Sequence, residues 1–232
     1  MKILFIGQST FRLTLADGTV LLTDPWFKMN RLWRAVAPAV QPDEIGRLDF
    51  MLSSHNHLDH IDAPSLALAK AHGAVVIGSE RVACRAKKSG VSRAVALKPG
   101  EAFDGDGWSV TATPAFHPLA KDAIGFLISA DAKKIYFCGD TRDDPRLREF
   151  LLGSGPIDLA ILQVACARYF GKDDGMNLET AAGFARAVAF KAVVPMHYHG
   201  RFKECDPHRL APLLAGSGIE TIMIGLGQEI NF

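Results

Sequence analysis

Residues 50–65 read FMLSSHNHLDHIDAPS, and this stretch decides the fold. The apolar run at 50–52 predicts a strand, and residues 55–60 follow it with three imidazoles and one carboxylate. Asp62 is placed to cap a helix whose first turn holds Pro64. The chain has 8 His in 232 residues, so three of them within six positions indicate a metal site rather than a polar surface loop. Nitrogen and hard-oxygen donors suit zinc, manganese or iron(II), here on a strand-to-helix loop of the kind that displays chemistry on a rigid scaffold.

The composition is that of an ordinary soluble globular protein. It is 48% hydrophobic and 22% charged, and its net charge of +1 excludes the global basic field typical of nucleic-acid-binding proteins. The 4 Cys form no CxxC pair and fit reduced thiols in a cytosolic protein. No stretch approaches the ~20 apolar residues of a membrane span. We therefore expect a cytoplasmic protein with no nucleic-acid partner and no membrane span.

The rest of the chain alternates short strands with a few helices. Strands at the start form an antiparallel meander, with a hairpin turn at Asp17-Gly18. Asn177 is placed to cap a helix with a buried apolar stripe. Strands are predicted at 3–6, 11–15, 20–23, 74–77, 108–113, 124–129, 134–138, 158–162, 192–196, 221–224 and 228–232, and helices near 63–71, 80–88 and 207–214. Without a linker or an internal repeat, residues 1–232 form one domain with two β-rich halves.

Three further residues follow predicted strands and extend the metal site. His117 comes shortly after strand 108–113, Asp140 follows strand 134–138, and His197 follows strand 192–196. A single His at a strand end is usually a hydrogen-bonded surface residue. Together with residues 55–60, these three positions indicate a site for two metal ions.

The order of these elements resembles the metallo-β-lactamase superfamily. The match consists of HNHLDH at 55–60, His117, Gly-Asp-Thr at 139–141 and His197, and it covers nearly the whole chain. Residues 176–179 and 195–198 look like the ascorbate-6-phosphate lactonase-like branch, which includes many metal-dependent hydrolases. The fold that this resemblance implies is α/β, an αβ/βα four-layer sandwich of two mixed β-sheets flanked by helices.

The resemblance also implies the ligands and their division between two divalent ions. Zinc is the expected metal, with manganese and iron(II) as alternatives. The ligands of one ion would be His55, His57 and His117, those of the other Asp59, His60 and His197, and Asp140 would bridge both. Asp59 would also orient a hydroxide that bridges the metals. Cys138 lies on an apolar strand and is interpreted as a core residue, which disfavours β-lactam hydrolysis.

His199 is the second candidate catalytic residue. In an extended segment it would share a face with His197, as a proton donor to the leaving group or a clamp on an oxyanion. The alternative is a solvated loop histidine.

The loop at 26–34 combines aromatic and cationic residues without an acid. It is interpreted as a substrate flap, as an oligomer contact or as ordinary core packing, and the sequence does not decide among them. Arg142 and the pair Arg168-Tyr169 are weaker candidates for lining the same cleft. The residues of the loop concerned are Trp26, Phe27, Lys28, Met29, Arg31, Trp33 and Arg34.

The function expected from these features is metal-dependent hydrolysis of a small ester-, lactone- or amide-like substrate, anionic or apolar. A phosphodiesterase or nuclease with the same metal site is the enzymatic alternative. A non-catalytic interaction module that holds metal is the other alternative, and homo-oligomerisation is open.

Overall fold

The structure, a computed structural model, describes residues 1–29, 35–169, 172–200 and 205–232. Among these residues the strands are β1 Lys2–Gly7, β2 Thr10–Thr14, β3 Val20–Thr23, β4 Phe50–Ser53, β5 Val75–Gly78, β6 Arg93–Ala96, β7 Ala102–Asp104, β8 Trp108–Pro114, β9 Ile124–Ala130, β10 Lys133–Phe137, β11 Leu159–Gln163, β12 Arg168–Tyr169, β13 Lys172–Asp173, β14 Ala192–Met196, β15 Glu220–Thr221 and β16 Glu229–Asn231. The α-helices are α1 Ala63–His72, α2 Glu80–Lys88, α3 Pro145–Gly153, α4 Leu178–Val188 and α5 Leu210–Leu214, and 3-10 turns span Pro42–Glu44 and Pro207–Arg209. In these residues no helix has the length and apolar character needed to cross a membrane.

Two seven-stranded mixed sheets form the frame. The first has the order β16-β1-β2-β3-β4-β5-β6, with the predicted antiparallel meander at β1–β3 and parallel pairing from β3 to β6. The second has the order β15-β14-β11-β10-β9-β8-β7, antiparallel from β7 to β10 and parallel from β10 to β15. The fold class expected from the sequence is confirmed.

Strict alternation along the first sheet produces its two buried faces. In β1, Ile3 and Phe5 belong to the core shared with the second sheet, whereas Leu4 and Ile6 belong to the core beneath α1 and α2. Because side chains of a strand point alternately to opposite faces, a strand buried on both sides reads as a continuous apolar run. The edge-to-face contact of Phe50 with Trp108, at 4.7 Å between ring centroids, joins the two sheets.

The predicted start of α1 is confirmed in detail. The Asp62 carboxylate accepts the Ser65 N–H at 2.9 Å, and the Ser65 hydroxyl in turn bonds the Asp62 N–H at 2.9 Å. Gly73 ends the helix with a φ of 62°, which glycine adopts without a Cβ penalty. The loop of the hexapeptide is therefore anchored by β4 at one end and by a capped helix at the other.

Several elements differ from the sequence prediction. Helix α3 was not predicted, although Asp144 caps it and Leu147 and Leu151 bury one face at helical spacing. Strands β6 and β7 were also not predicted, because each is short and partly exposed at or near a sheet edge. The predicted helix at 207–214 divides into a 3-10 turn and α5, and the strand predicted at 221–224 is paired only over Glu220–Thr221.

Candidate metal centre

The predicted ligands all follow the carboxyl ends of strands, and those ends meet at one edge of the sandwich. Two backbone hydrogen bonds join the sheets there, from Ile124 N–H to the Ser54 carbonyl at 3.1 Å and from His197 N–H to the Gln8 carbonyl at 2.9 Å. The loop after β4 carries His55, His57, Asp59 and His60, the turn after β8 carries His117, the turn after β10 carries Asp140, and the residue after β14 is His197.

The first group of ligands is made of three imidazoles. His55 Nε2 lies 2.9 Å from His57 Nδ1, and His117 Nε2 lies 3.4 Å from the same His57 nitrogen. His55 and His117 are buried, and His57 is half-buried. One ring nitrogen of each residue therefore faces a common point, and the three form the group that the family resemblance implies for one ion.

The second group combines two imidazoles and a carboxylate. His60 Nε2 and His197 Nε2 are 3.3 Å apart, and Asp59 Oδ2 lies 3.5 Å from His197 Nε2 and 3.7 Å from His60 Nε2. Both histidines are fully buried, whereas the Asp59 side chain is 30% exposed. Asp59 is thus the member of this group that is most accessible to solvent.

Asp140 lies where the two groups meet. Its Oδ1 is 3.2 Å from His197 Nε2, and its Oδ2 is 3.5 Å from His60 Nε2. His55, His60 and Asp140 also form a group whose ligand atoms lie within 4.8 Å of one another. The structure therefore brings all seven predicted ligands into one continuous cluster.

The ring nitrogens that face away from the cluster have partners, and these partners fix the tautomers. His60 Nδ1 lies 2.7 Å from Asp24 Oδ2, and His117 Nδ1 lies 2.7 Å from the Asp174 carbonyl. Since both acceptors require a proton on Nδ1, Nε2 of each neutral ring presents a lone pair to the cluster.

The outward-facing nitrogens of His55 and His197 also have partners. His55 Nδ1 lies 3.0 Å from the Ser54 hydroxyl, and His197 Nδ1 lies 3.4 Å from the Ala165 carbonyl and 3.5 Å from the Gln163 side-chain nitrogen. The Nε2 atoms of His60 and His197 lie 3.3 Å apart, with the carboxylates of Asp59 and Asp140 beside them. This set of nitrogen and oxygen donors fits a metal ion.

Burial and charge set the protonation of the ligands. Burial lowers the pKa values of His55, His57 and His117, and neighbouring imidazoles add to the effect, so these rings are neutral at pH 7. Burial also opposes charge on His60, but Asp140, Asp59 and Asp24 outweigh it and raise the His60 pKa well above its usual value. The carboxylates that favour a proton on His60 favour a metal cation in the same place.

Asp59 is held ionised despite its surroundings. Burial on its own raises the pKa of this carboxyl, but the charge of His60 and a hydrogen bond from His197 outweigh burial and lower the pKa far below its usual range. An ionised carboxylate is the form that binds a metal.

His199 does not share a face with His197 in the way that the sequence suggests. His197 has a φ of 68°, in the left-handed region, so the backbone is not extended and the alternation of faces is lost. The His199 ring stacks on Phe5 at 5.5 Å between centroids, and its Nδ1 accepts the Gln8 N–H at 3.4 Å. The residue is half-buried rather than fully solvated, and its catalytic role stays a prediction.

The loop at 26–34 is only partly within the described residues. Trp26 and Phe27 are each 4% exposed, so core packing describes them. The Asp62 carboxylate accepts the backbone N–H groups of Phe27 at 2.8 Å and Lys28 at 2.6 Å, which fixes the base of the loop to α1. Arg31, Trp33 and Arg34 lie outside the described residues.

Arg142, one of the two weaker candidates for lining the cleft, is not the fully solvated arginine that would be expected by default. It is half-buried, and its Nε donates to the Asp173 carbonyl, which fastens the turn of Asp140 to the ribbon β12–β13. Arg168 is exposed, with Asp173 at 3.8 Å. Cys138 is fully buried, as expected of a core residue.

Sequence reasoning missed three residues that support the ligands: Asp24, Gln163 and Asp174. Asp24 is fully buried at the end of β3, where Ser54 donates its N–H at 2.6 Å and its hydroxyl at 2.7 Å. Gln163 accepts the Thr141 N–H at 3.2 Å, beside Asp140. Asp24 could have been suspected as an acid directly after a buried strand, but Asp-Pro at 24–25 is also an ordinary start of a turn.

Comparisons with known proteins agree with this geometry. The model of the β-lactamase superfamily domain matches residues 19–198. A UPF0173 metal-dependent hydrolase of Listeria innocua is 31% identical over 244 residues, covering 99% of this chain and 100% of the relative. The structure of Igni18, a metallo hydrolase from Ignicoccus hospitalis, superposes with a TM-score of 0.83 at 22% identity, covering 100% of this chain and 97% of that one. An isothiocyanate hydrolase from Delia radicum gut bacteria gives a TM-score of 0.85 at 20% identity, covering 100% and 99%. At these identities the two structures show a common fold.

Proposed function

Since the chain belongs to the β-lactamase superfamily and, within it, to the UPF0173 family of metal-dependent hydrolases, we propose that it hydrolyses a small ester-, lactone- or amide-like substrate with two divalent metal ions. The lactone is included because residues 176–179 and 195–198 look like the lactonase-like branch.

The grouping of the ligand atoms is the observation that carries the two-ion proposal. One group is made of His55, His57 and His117, and a second of Asp59, His60 and His197. Each group has three donors, enough for an ion that keeps a coordination position open for substrate or water. Asp140, close to the second group and grouped also with His55, is placed to bridge the two ions.

The donor atoms support zinc as the proposed metal, with manganese or iron(II) as alternatives. The cluster offers imidazole nitrogens and carboxylate oxygens, which all three ions accept. Two such ions, when bound, supply Lewis acidity to a substrate oxygen and lower the pKa of a shared water. The remaining chemistry falls to the protein side chains.

Asp59 is proposed to orient the attacking water as well as to bind metal. It is ionised and more exposed than the two histidines grouped with it, so its carboxylate can accept a hydrogen bond from water at the opening. His199 is proposed to donate a proton to the leaving group. Because its Nδ1 accepts from Gln8, the neutral ring carries its proton on Nε2, which is the tautomer that a donor requires.

The test pairs metal analysis with a substrate panel. Protein reconstituted with zinc, manganese or iron(II) is expected to hold two ions per chain and to hydrolyse at least one of an ester, a lactone and an amide. A phosphodiester in the same panel, assayed over a range of salt, tests the nuclease alternative. A metal content well below two ions per chain after reconstitution would contradict the proposed two-ion site. A protein that is fully loaded with metal and hydrolyses none of the substrates would favour the non-catalytic interaction module.

Asp59→Asn separates metal binding from turnover. The variant is expected to keep the His55 group loaded and to lose hydrolysis, because the amide cannot accept the water proton as a carboxylate does. His72→Gln, on the exposed end of α1, is the matched control and should change neither property. An Asp59→Asn variant with wild-type turnover would remove Asp59 from the proposed mechanism.

A further inference from the structure

Apolar side chains are exposed directly beside the ligands. Leu58, between His57 and Asp59, is 67% exposed, and Leu119, two residues after His117, is 53% exposed. Pro118 is exposed as well. Since His57 Nδ1 and His117 Nε2 are 3.4 Å apart, the two loops that carry these apolar residues meet at the first ligand group.

The loop of Leu58 holds a fixed conformation. Arg85, on α2, donates from Nη1 to the Asn56 side-chain oxygen at 3.1 Å, and the His60 N–H closes a turn on the His57 carbonyl at 3.2 Å. Leu58 is therefore presented to solvent by a structured loop.

The loop of Leu119 is fixed in a similar way. The Ala120 N–H closes a turn on the His117 carbonyl at 3.2 Å, and the Asp122 carboxylate accepts the Arg81 N–H at 3.0 Å at the start of α2. Both leucines therefore stand on rigid loops beside the cluster. Exposed apolar groups that line a functional site usually meet an apolar part of a ligand.

Three arginines near these loops have protein partners, whereas Lys121, two residues after Leu119, is exposed. Arg85 binds Asn56, Arg142 binds the Asp173 carbonyl, and Arg146 pairs with Asp144 at 2.9 Å. An anionic substrate group would need an arginine or lysine aimed at the opening. The exposed residues directly beside the first ligand group, Leu58, Pro118 and Leu119, are apolar, and this surface favours an apolar substrate group.

We propose that Leu58, Pro118 and Leu119 form an apolar lip that receives the alkyl chain of the substrate, so that the preferred substrates are esters or lactones of medium-chain aliphatic acids. This inference rests on the hydrolase activity proposed above. In the reaction, water adds to the acyl carbon and the acyl C–O bond breaks. The products are the alkyl carboxylate and the alcohol, which stay in one molecule when the substrate is a lactone; one proton of the water goes to the alcohol oxygen and the other is released to solvent as the acid ionises.

A binding experiment tests the lip without turnover. Butanoate and octanoate, as product analogues, are titrated into zinc-loaded protein by calorimetry. A fully buried methylene contributes about fourfold to affinity, and roughly twofold when only one side is covered. The four extra methylenes of octanoate should therefore tighten its Kd at least about 15-fold relative to butanoate. Equal affinity of the wild type for the two carboxylates would overturn the proposal.

Variants test whether the preference for octanoate over butanoate depends on the lip. The double variant Leu58→Ala with Leu119→Ala is expected to reduce the octanoate preference to about threefold or less. The control is Leu152→Ala, an equally exposed leucine at 56% near the end of α3, which should keep the full preference. An unchanged preference in the double variant would also reject the lip.

Kinetics separate this inference from the proposed function. The ratio of kcat/KM for p-nitrophenyl hexanoate over the acetate should be high in the wild type and low in the double variant. Hydrolysis without chain-length dependence would leave the hydrolase standing and remove the lip. Tight, lip-dependent octanoate binding without hydrolysis of any ester would support the lip and remove the esterase. A dimer in sedimentation that the double variant dissociates, with no change in octanoate preference, would assign this surface to a second copy of the chain and overturn the proposal.

Discussion

Substitution of Asp24 by Asn tests how the buried contacts behind the ligands set metal affinity. The carboxylate has three donors around it: the Ser54 N–H at 2.6 Å from Oδ1, and the Ser54 hydroxyl and His60 Nδ1, each 2.7 Å from Oδ2. An amide has one acceptor oxygen, and the backbone N–H of Ser54 can only donate. The amide oxygen must therefore stay on Ser54, which turns the NH2 group towards His60.

That arrangement reverses the tautomer of His60. Facing an NH2 donor, Nδ1 must become the acceptor, so the proton of the neutral ring moves to Nε2, the nitrogen that faces the metal cluster. Loss of a hydrogen-bond partner behind a metal ligand typically costs 10- to 100-fold in metal affinity. For Asp24→Asn we expect a loss in this range, about 1.4–2.7 kcal/mol, confined to the ion held by His60 and His197.

Asp24→Asn should also change the stability of the metal-free protein, for a reason separate from metal affinity. Burial raises the pKa of Asp24, and the charge of His60 and hydrogen bonds from His60 and Ser54 oppose this shift. Asp24→Asn removes the carboxylate that faces the protonated His60 ring of the metal-free protein, and the free energy of unfolding should fall by about 1–3 kcal/mol. The stabilisation gained on adding zinc should fall by the lost binding free energy.

The assay combines chelator competition for zinc affinity with urea unfolding, with and without metal. Asp62→Asn is the matched control, since this carboxylate is equally buried and accepts three backbone N–H groups, but contacts no ligand. It should lose about 1–3 kcal/mol of stability in both forms and keep wild-type zinc affinity. An Asp24→Asn variant that binds two zinc ions as tightly as wild type would refute the tautomer argument.

Three further outcomes follow from the structure. Gly78→Ala should destabilise the protein by about 2 kcal/mol or more, because the added Cβ would lie 2.3 Å from the Ser53 carbonyl oxygen. Gly183→Ala, in α4, should instead stabilise the protein by up to about 1 kcal/mol, because the added Cβ would meet no atom within 4 Å outside its own helix backbone and chain neighbours. Urea unfolding of the two variants and the wild type measures both effects. Burial raises the pKa of Asp158, but bonds from Lys191 at 2.7 Å and the Lys134 N–H at 2.8 Å lower it overall, so its stabilisation is present above the unfolded pKa of about 3.9 and is lost as pH falls below that value. The stability difference between wild type and Asp158→Asn, measured without metal, should accordingly be largest near neutral pH and decrease as pH falls through the lowered pKa of Asp158. Removal of metal by a chelator should lower the free energy of unfolding by about 2.7 kcal/mol for each ion, relative to protein with zinc at 100 times the Kd of that site. A melting temperature that does not change when the chelator is added would contradict a metal site in the folded state.

The sequence predicted those features that a short stretch of chain determines. Asp62 and Asn177 cap their helices as expected, because an N-cap needs only its own side chain and the next three residues. The hairpin turn at Asp131-Ala132 escaped prediction, since both residues have positive φ without the Asn-Gly or Asp-Gly pattern that such turns usually show.

The residues that the structure brings together as candidate ligands could be selected from the sequence, whereas the groups that support them could not. Imidazole and carboxylate are required by the metal itself, so residue type alone narrows the candidates to a few strand ends. The support of His117 is the backbone carbonyl of Asp174, 57 residues away, and every residue carries a carbonyl. No sequence pattern distinguishes the carbonyl that the fold will bring to a given ring nitrogen.

The charges around the cluster give a separate argument for the number of ions. Asp59, Asp140 and Asp24 contribute three negative charges within or directly behind the ligand set, while burial keeps His55, His57 and His117 neutral. One divalent ion would leave the site negative and repel the oxyanion that forms when water adds to an acyl carbon. Two divalent ions would leave it with one positive charge, in a buried site where that charge is weakly screened. The three carboxylate charges are therefore better balanced by two divalent ions than by one. Asp24 contributes one of these charges, and it also fixes the tautomer of His60.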